Sequence, residues 1–467
     1  MGRRPHKRKI APEMVIEGLH PEGRFWGVFS GRRVYIPGAI PGELADVEVT
    51  YGGQAFLEGN IICLLKPHPA RQVPFCKHAG VCGGCVFQHI AYEHQLNLKK
   101  QLLEDAFARK GISTGVLKEV MPSQPDRNYR NRLEFSFSNR RWFYDNEGKV
   151  ESQEERLAVG FSARGLPGRV VDITECHIGG QEAVALARFA REIALEEGVA
   201  FYDFKTGEGE LRSIEVLRNS AGKLQVVVGF AHFPSDAGQR FLNRWISCSP
   251  QVGSWYGLVW NNPFKADYPD FVWHLAGDTF LHENYNQLYL RYSLGGFSQA
   301  NLFLAPSLFR FITEQARVEP GMHAIDLYCG SGVIGLHLAR EGAKVIGIEG
   351  NPIAVEDATF NARNNGLNNC TFIQGDVLAT FNQAFLATHG SPDVIVLDPP
   401  RSGTLKEILK TIISSGVKRV IYVSCNPQAL ARDLQMLISY FDLEVIQPFD
   451  MFPHTPHLET VAVMSRQ

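Results

Sequence analysis

From Asn286 to the last residue the chain alternates short β-branched runs with helical stretches of roughly ten residues or more, and this alternation constrains the fold most tightly. HAIDLY leads into the Gly-rich CGSG and the helical VIGLHLAREG. KVIGIEG, PIAVEDATFNARNNG, TFIQGD, DVIVLDPP, LKEILKTIISSG, RVIYVSCNP and QALARDLQMLISY follow. Strands joined through helices cannot close tight hairpins, so they pair in parallel and need helices on both faces. Residues 286–467 are therefore expected to form an α/β, Rossmann-like, doubly wound domain. LEVIQPFD and LETVAVMSR have no helix between them and should form an antiparallel hairpin at the sheet edge.

The run Gly330-Ser331-Gly332-Val333-Ile334-Gly335 follows a strand and opens a helix. Glu349 ends the next strand, about 20 residues on, where a carboxylate can accept hydrogen bonds from ribose hydroxyls. That pair alone suits a dinucleotide dehydrogenase equally well. Asp326 ahead of the loop and DPPRSG at 398–403 shift the reading. Asp-x-Tyr-Cys-Gly-x-Gly followed by Asp-Pro-Pro resembles the grammar of S-adenosylmethionine-dependent methyltransferases. Asp326, Glu349, Asp376 and Asp398 all fall at carboxyl ends of strands, where such sheets bind ligands.

VSCNP places Cys425 at the same rim, with Asn426 suited to cap the next helix and Pro427 to its first turn. A helix N-terminus beside a thiol favours thiolate. Glu459 begins the final strand, and if that strand runs antiparallel its start lies at the rim too. A nucleophile with a carboxylate base suits methylation at C5 of a pyrimidine. That carbon becomes nucleophilic only after addition at C6, and its proton must later leave.

Upstream, residues 14–66 read as a small barrel of about five strands, punctuated by Gly and Pro. Residues 67–90 are loop-like, and helical periodicity runs from 92 to 110. Residues 116–285 read as α+β, with one helical stretch at 181–197. The expected divisions are 1–66, 67–285 and 286–467. Residues 1–110 hold 15 Lys and Arg against 10 Asp and Glu, whereas the whole chain has a net charge of −2. A basic N-terminal part on an acidic body hints at a polyanion partner. The basic start runs into Glu13, Glu17 and Glu22 rather than an apolar segment, and no run approaches a membrane span, so a cytoplasmic protein is expected.

Nine cysteines in a long chain of this kind argue against a disulfide framework, yet Cys76, Cys82 and Cys85 crowd one loop. Cys176, in DITECHI, is the best distant fourth. Four thiolates suit zinc or an iron–sulfur cluster.

Together these features resemble the RNA 5-methyluridine methyltransferases. The closest branch is the bacterial 23S rRNA uracil-5-methyltransferases that carry a TRAM domain and a [4Fe-4S] cluster. GRRVYIPGAIPGE looks like the TRAM barrel, CKHAGVCGGC with Cys176 like the cluster ligands, and NYRNRLEF and VGF like the central RNA-binding domain. FSQANLFL, DLYCGSGVIGL, LDPPRSG, YVSCNP and HLET resemble the catalytic domain in order. The resemblance implies Cys425 as nucleophile and Glu459 as base. It implies S-adenosyl-L-methionine against Gln299, Tyr328, Glu349, Asp376 and Asp398, and a [4Fe-4S] cluster on Cys76, Cys82, Cys85 and Cys176. RNA, foremost 23S rRNA, is the implied partner, with no membrane and no obligate protein partner. One departure is Val333, where the family often has Asn, removing a polar cofactor contact. Cys329 gains no catalytic role. Cytosine-5 RNA methyltransferases place their Cys in another motif. Amino-group methyltransferases carry an aromatic residue where Arg401 stands. Transfer RNA as substrate, or a catalytically silent RNA-binding factor, are the alternatives, the latter opposed by intact Cys425 and Glu459.

Overall fold

The structure, a computed structural model, describes residues 9–50, 56–144, 147, 152–166, 168–260, 269–296 and 298–467. The basic stretch 1–8, expected to touch RNA, lies outside the described residues.

Lys9–Leu19, Phe25–Phe29, Arg32–Tyr35, Leu44–Thr50 and Leu57–Lys66 close into a five-stranded barrel, sealed where the first and fourth strands pair antiparallel. Strict alternation sends Ala45, Val47 and Val49 inward. Ser30 and Gly31, both at positive φ, make the two-residue turn between the second and third strands.

The middle of the chain forms a seven-stranded sheet. Its order is Phe271–Gly277, Val252–Val259, Leu224–Phe230, Leu211–Arg218, Arg132–Ser138, Ala158–Ser162, Val170–Asp172. Helices Gln181–Glu196 and Asp236–Ser247 share its core, burying Ile193, Phe241 and Trp245 against Trp255. The sequence reading expected a single helical stretch here. The second helix connects the parallel pair Leu224–Phe230 and Val252–Val259 as a crossover.

The C-terminal sheet has the order Cys370–Gln374, Lys344–Glu349, His323–Leu327, Val394–Leu397, Arg419–Ser424, Glu459–Arg466, Phe441–Phe449. The first five strands are parallel, and strand order reverses direction beside His323–Leu327, which opens the ligand crevice at their carboxyl ends. The last two strands pair antiparallel as expected, but Glu459–Arg466 inserts between Arg419–Ser424 and Phe441–Phe449 and is buried along most of its length. Of these two strands only Phe441–Phe449 lies at an edge, the other edge of the sheet being Cys370–Gln374.

Two upstream pieces pack on this C-terminal unit. Hairpin Leu281–Tyr285/Leu288–Tyr292 turns at Asn286 and Gln287, so the division expected at 285/286 falls at its tip. Its Tyr285, Leu288, Leu290 and Tyr292 join the core of helices Ala305–Ala316 and Val333–Arg340. Helix Tyr92–Ala108 sends Leu103, Ala106 and Phe107 into the core built by Leu430, Leu434 and Leu437. Among the described residues no helix is long and apolar enough to cross a membrane.

Candidate active site

The Gly-rich turn is shaped by backbone geometry. Tyr328, Gly330 and Gly332 all sit at positive φ, turning the chain from strand His323–Leu327 into helix Val333–Arg340. A Cβ on Gly332 would lie 2.8 Å from the Phe372 ring and 2.9 Å from Ala358, so only glycine lets the turn sit this close. At Gly330 and Gly350 a Cβ would meet nothing within 4 Å, because both face open space. Glu349 is held by backbone donors: Gly330 N–H reaches Oε2 at 3.1 Å and Asn351 N–H reaches Oε1 at 2.8 Å. Asp326 does not reach this space. It is fully buried, and Oδ2 accepts from Gly335 N–H at 2.8 Å, bracing the start of the helix, while Oδ1 finds no partner. Burial pushes Asp326 up to about 8.

All seven residues expected at the cofactor and reaction centre line one cavity of about 890 Å³: Gln299, Tyr328, Glu349, Asp376, Asp398, Cys425 and Glu459. Strand register explains the last two. Ser424 pairs with Thr460, so Cys425 leaves one strand as Glu459 enters its antiparallel neighbour. Asn426 caps helix Pro427–Leu437 by accepting from Gln428 N–H at 3.0 Å, and its Nδ2 donates to the Arg401 carbonyl at 2.8 Å. That bond ties the Asp-Pro-Pro-Arg loop to the cysteine. The Arg401 guanidinium in turn donates to His457 Nδ1 at 2.9 Å.

The Cys425 thiol is pushed up to about 11, by burial first and then by Glu459, with Arg401 opposing. The helix N-terminus, expected to favour thiolate, is outweighed. Glu459 is buried with Oε1 unpartnered; burial and then Asp398 raise its carboxyl well above the usual range, again against Arg401. Burial alone brings Asp398 to about 7. Tyr328 Oη meets Thr404 Oγ1 at 2.9 Å, and Asp376 Oδ1 caps a short helix through Ala379 N–H at 3.0 Å. The Gln299 carbonyl accepts from Asn131 Nδ2 at 3.0 Å, tying this wall to the central sheet. Arg130, Phe452, Thr455 and His457 also line the cavity, and sequence reasoning gave them no role. The signal available for His457 was the run PHTPHLET directly ahead of the base.

Cys76, Cys82, Cys85 and Cys176 line a second cavity of about 320 Å³. Gly83 N–H donates to the Ser162 carbonyl at 3.1 Å, holding the cysteine loop to the central sheet. Main-chain amides point at sulfur: Gly84 N–H lies 3.5 Å from Cys82 Sγ, His78 N–H faces Cys76, and those of Ile178 and Gly179 face Cys176. Among the described residues no group of three or more His, Cys, Asp or Glu is arranged to hold a metal ion. Gly84 and Arg130 line both cavities, so the two share a wall.

Comparison with known proteins agrees with this geometry. Residues 278–467 match the tRNA (Uracil-5-)-methyltransferase family profile. An uncharacterized RNA methyltransferase of Porphyromonas gingivalis is 34% identical over 464 residues, covering 97% of this chain and 99% of its own. One from Chlorobaculum tepidum is 33% identical, covering 99% of this chain and 98% of its own. The structure of Pyrococcus abyssi tRNA (uracil-54, C5)-methyltransferase with S-adenosyl-L-homocysteine superposes with a TM-score of 0.73 at 25% identity, covering 98% of this chain and all of that one. With its Gly-rich turn, rim carboxylates and nearly full-length relatives, the chain belongs to the RNA uracil-5-methyltransferase family of S-adenosylmethionine-dependent enzymes.

Proposed function

We propose that the chain methylates C5 of a specific uridine in 23S rRNA, acting in the cytoplasm, with Cys425 as nucleophile and Glu459 as base. The observation that carries this reading is the meeting of those two side chains, from opposite strand directions, in the cavity that the Gly-rich turn opens into. S-adenosylmethionine, when bound, supplies an electrophilic sulfonium methyl. The open faces of Gly330 and Gly350 and the backbone-held carboxylate of Glu349 fit its ribose side, and Gln299, Tyr328, Asp376 and Asp398 complete the lining.

Cys425 loses its proton to solvent water, with the Arg401 charge favouring the thiolate, and its sulfur bonds C6 of a uracil swung out of the RNA stack. The C5=C6 pair moves toward the ring carbonyl as an enolate, and its electrons return through C5 to the methyl carbon as the sulfonium–methyl bond breaks and S-adenosyl-L-homocysteine leaves. The Glu459 carboxylate takes the C5 proton, the electrons return to C5=C6, and the thiolate leaves. Asp398 lies within electrostatic reach of both groups and is available to the uracil edge.

The four cysteines are assigned one [4Fe-4S] cluster. Four thiols on one cavity with amides aimed at sulfur match the cluster ligand rule, and a cluster spreads its cysteines wider than a single ion does. Methyl transfer is polar chemistry and needs no electron from it, so the role is structural. The barrel is assigned as a TRAM-type RNA-binding domain, the central sheet as a further RNA-binding unit, and the C-terminal unit as the methyltransferase domain.

Mass mapping of 5-methyluridine in ribosomal and transfer RNA from a deletion strain tests the substrate. Loss of one or two sites in 23S rRNA is expected. Transfer RNA is the second reading, favoured by the Pyrococcus abyssi neighbour that acts on tRNA, and loss of the tRNA modification alone would select it. Retention of every 5-methyluridine would refute both.

A further inference from the structure

Between the barrel and the cysteine loop lies a third cavity, of about 560 Å³, separate from the one that holds the reaction centre. Two arginines line it, Arg71 and Arg164, and no carboxylate does. Arg71 is fully engaged: Nε and Nη2 each meet a Glu43 carboxylate oxygen at 2.6 Å, and Nη2 also donates to the Gly38 carbonyl at 2.7 Å. That pair is neutral overall and shapes the wall. Arg164 is different. Among the described residues its half-buried guanidinium has no ion pair and no hydrogen-bond acceptor, and only its main-chain N–H is used, toward the Val81 carbonyl. Its five donors face the cleft and still touch solvent, so an anionic ligand that accepts from them would take the place of water.

Two further features show what the cavity admits. Gly38 and Gly80 line it at positive φ, and a Cβ on either would meet nothing within 4 Å, so bare backbone faces the space. Arg164 exerts its field on His89, at the barrel side of the cleft. A planar cation without a partner, in an acid-free cleft with glycine walls, matches an anionic chain whose oxygens accept in a fork. The cleft also adjoins the reaction centre. Cys85 lines it, and Gly84, the preceding residue, lines the catalytic cavity.

We propose that Arg164 holds a phosphodiester of the substrate RNA in the cleft between barrel and cysteine loop, from which the strand runs past Gly84 to Cys425. This rests on the RNA-methylation reading and adds to it a position on the protein where the backbone is gripped.

The test uses the full-length protein and a dye-labelled oligouridine RNA, with affinity followed by anisotropy as salt is raised. Arg164→Gln should bind about tenfold more weakly at low salt. Its logarithmic salt slope should fall by about 0.7, the value for one phosphate on a single strand. Calorimetric affinity for S-adenosyl-L-homocysteine should stay at the wild-type value, which shows that the fold is intact. Arg164→Lys should keep the slope, because the charge remains, and lose part of the affinity, because the fork does not. An Arg164→Gln protein with wild-type RNA affinity and slope overturns the proposal. So does one that loses iron while its salt slope is unchanged, since Arg164 would then serve the cysteine site. Should Arg164→Gln fail to bind cofactor, Arg164→Lys decides alone, and wild-type affinity there overturns the proposal. A wild-type protein that binds no RNA at all would instead remove the functional reading on which this rests.

Discussion

Cys425 and Glu459 both sit where the fold opposes the charge their chemistry needs. With the thiol at about 11, only about one molecule in 10⁴ carries the thiolate at pH 7. Adduct formation should therefore accelerate with pH, by about tenfold per unit from pH 7 to 9, in single-turnover quench experiments. A flat profile would place the rate-limiting step elsewhere. Glu459 also helps to raise the Cys425 thiol, and removing that carboxyl should release the thiol. Glu459→Gln deletes a negative neighbour, so the Cys425 thiol should titrate at lower pH than in wild type. The readout is the pH dependence of Cys425 alkylation, followed by mass spectrometry of its peptide, and an unmoved midpoint would show that the two do not interact. The same variants separate the two chemical roles. Cys425→Ala should bind RNA and cofactor and form no covalent complex. Glu459→Gln should accumulate a methylated RNA–protein adduct, because addition and methyl transfer proceed while elimination stalls. A denaturant-stable adduct from Cys425→Ala would show the nucleophile to be misassigned.

At the level of strands and turns, the crevice gathers carboxyls whose ionisation the sheet resists, and Asp326 at the end of His323–Leu327 shows the consequence for stability. Its folded value near 8 lies above that of an unfolded aspartate, so the folded state binds the extra proton. Stability is then lost as pH rises from about 4 toward 8, by up to about 1.4 kcal/mol per unit, and levels off above. Asp326→Asn keeps an acceptor for Gly335 N–H and removes the titration. Its melting temperature should gain more over wild type at pH 8 than at pH 5, and equal shifts at both would contradict the account. Elements of this C-terminal sheet were legible because its central strands are apolar, β-branched runs and most of its turns carry Gly, Asn or Pro. The carboxyl-end rule for parallel strands places Cys425 at the rim, and the antiparallel direction expected of the final strand places Glu459 there too. The central sheet was less legible. Val170–Asp172 spans three residues, and Phe271–Gly277 shows no buried alternation, so period-two patterns fail there. Helix Asp236–Ser247 did carry a signal, Ser235 as cap and Phe241, Leu242 and Trp245 on one face, but it is short, at 12 residues, and half of those are polar or charged. Arg401 and His457 escaped for another reason. They meet through irregular loops whose paths are set by distant contacts, and local pattern does not encode those.

Across the whole molecule, the segment that delivers the base is held by parts of the chain more than 300 residues earlier. Residues 450–458 carry Phe452, Thr455 and His457 into the cavity and end at Glu459. The N–H groups of Val86 and Phe87, beside the cysteine loop, both donate to the His454 carbonyl at 3.0 Å, and Tyr129 Oη donates to the Pro453 carbonyl at 3.0 Å. Helix Tyr92–Ala108 contributes a fully buried ion pair, Lys99 with Asp450, and Lys99 Nζ also donates to the Phe452 carbonyl at 3.0 Å. Tyr92 Oη donates to the second Asp450 oxygen at 2.9 Å. Removing one partner of such a pair leaves the other charge buried and unmatched. Lys99→Met should thus cost about 3–5 kcal/mol in denaturant unfolding, well above a surface substitution. The cysteine loop reaches the base by the same route. If the four cysteines hold a cluster, its loss frees residues 76–88, and the two bonds to His454 weaken with them. Anaerobically purified protein should be brown with about four irons per chain. Removing the iron should raise amide hydrogen exchange across 450–458 while leaving the amides of Gly330 and Gly335 as protected as before, because those donate to Glu349 and Asp326 of the C-terminal sheet. Unchanged exchange at 450–458 in iron-free protein would mean that Tyr92, Lys99 and Tyr129 hold the segment without help from the cluster, and stoichiometric zinc without iron would remove the cluster from the argument.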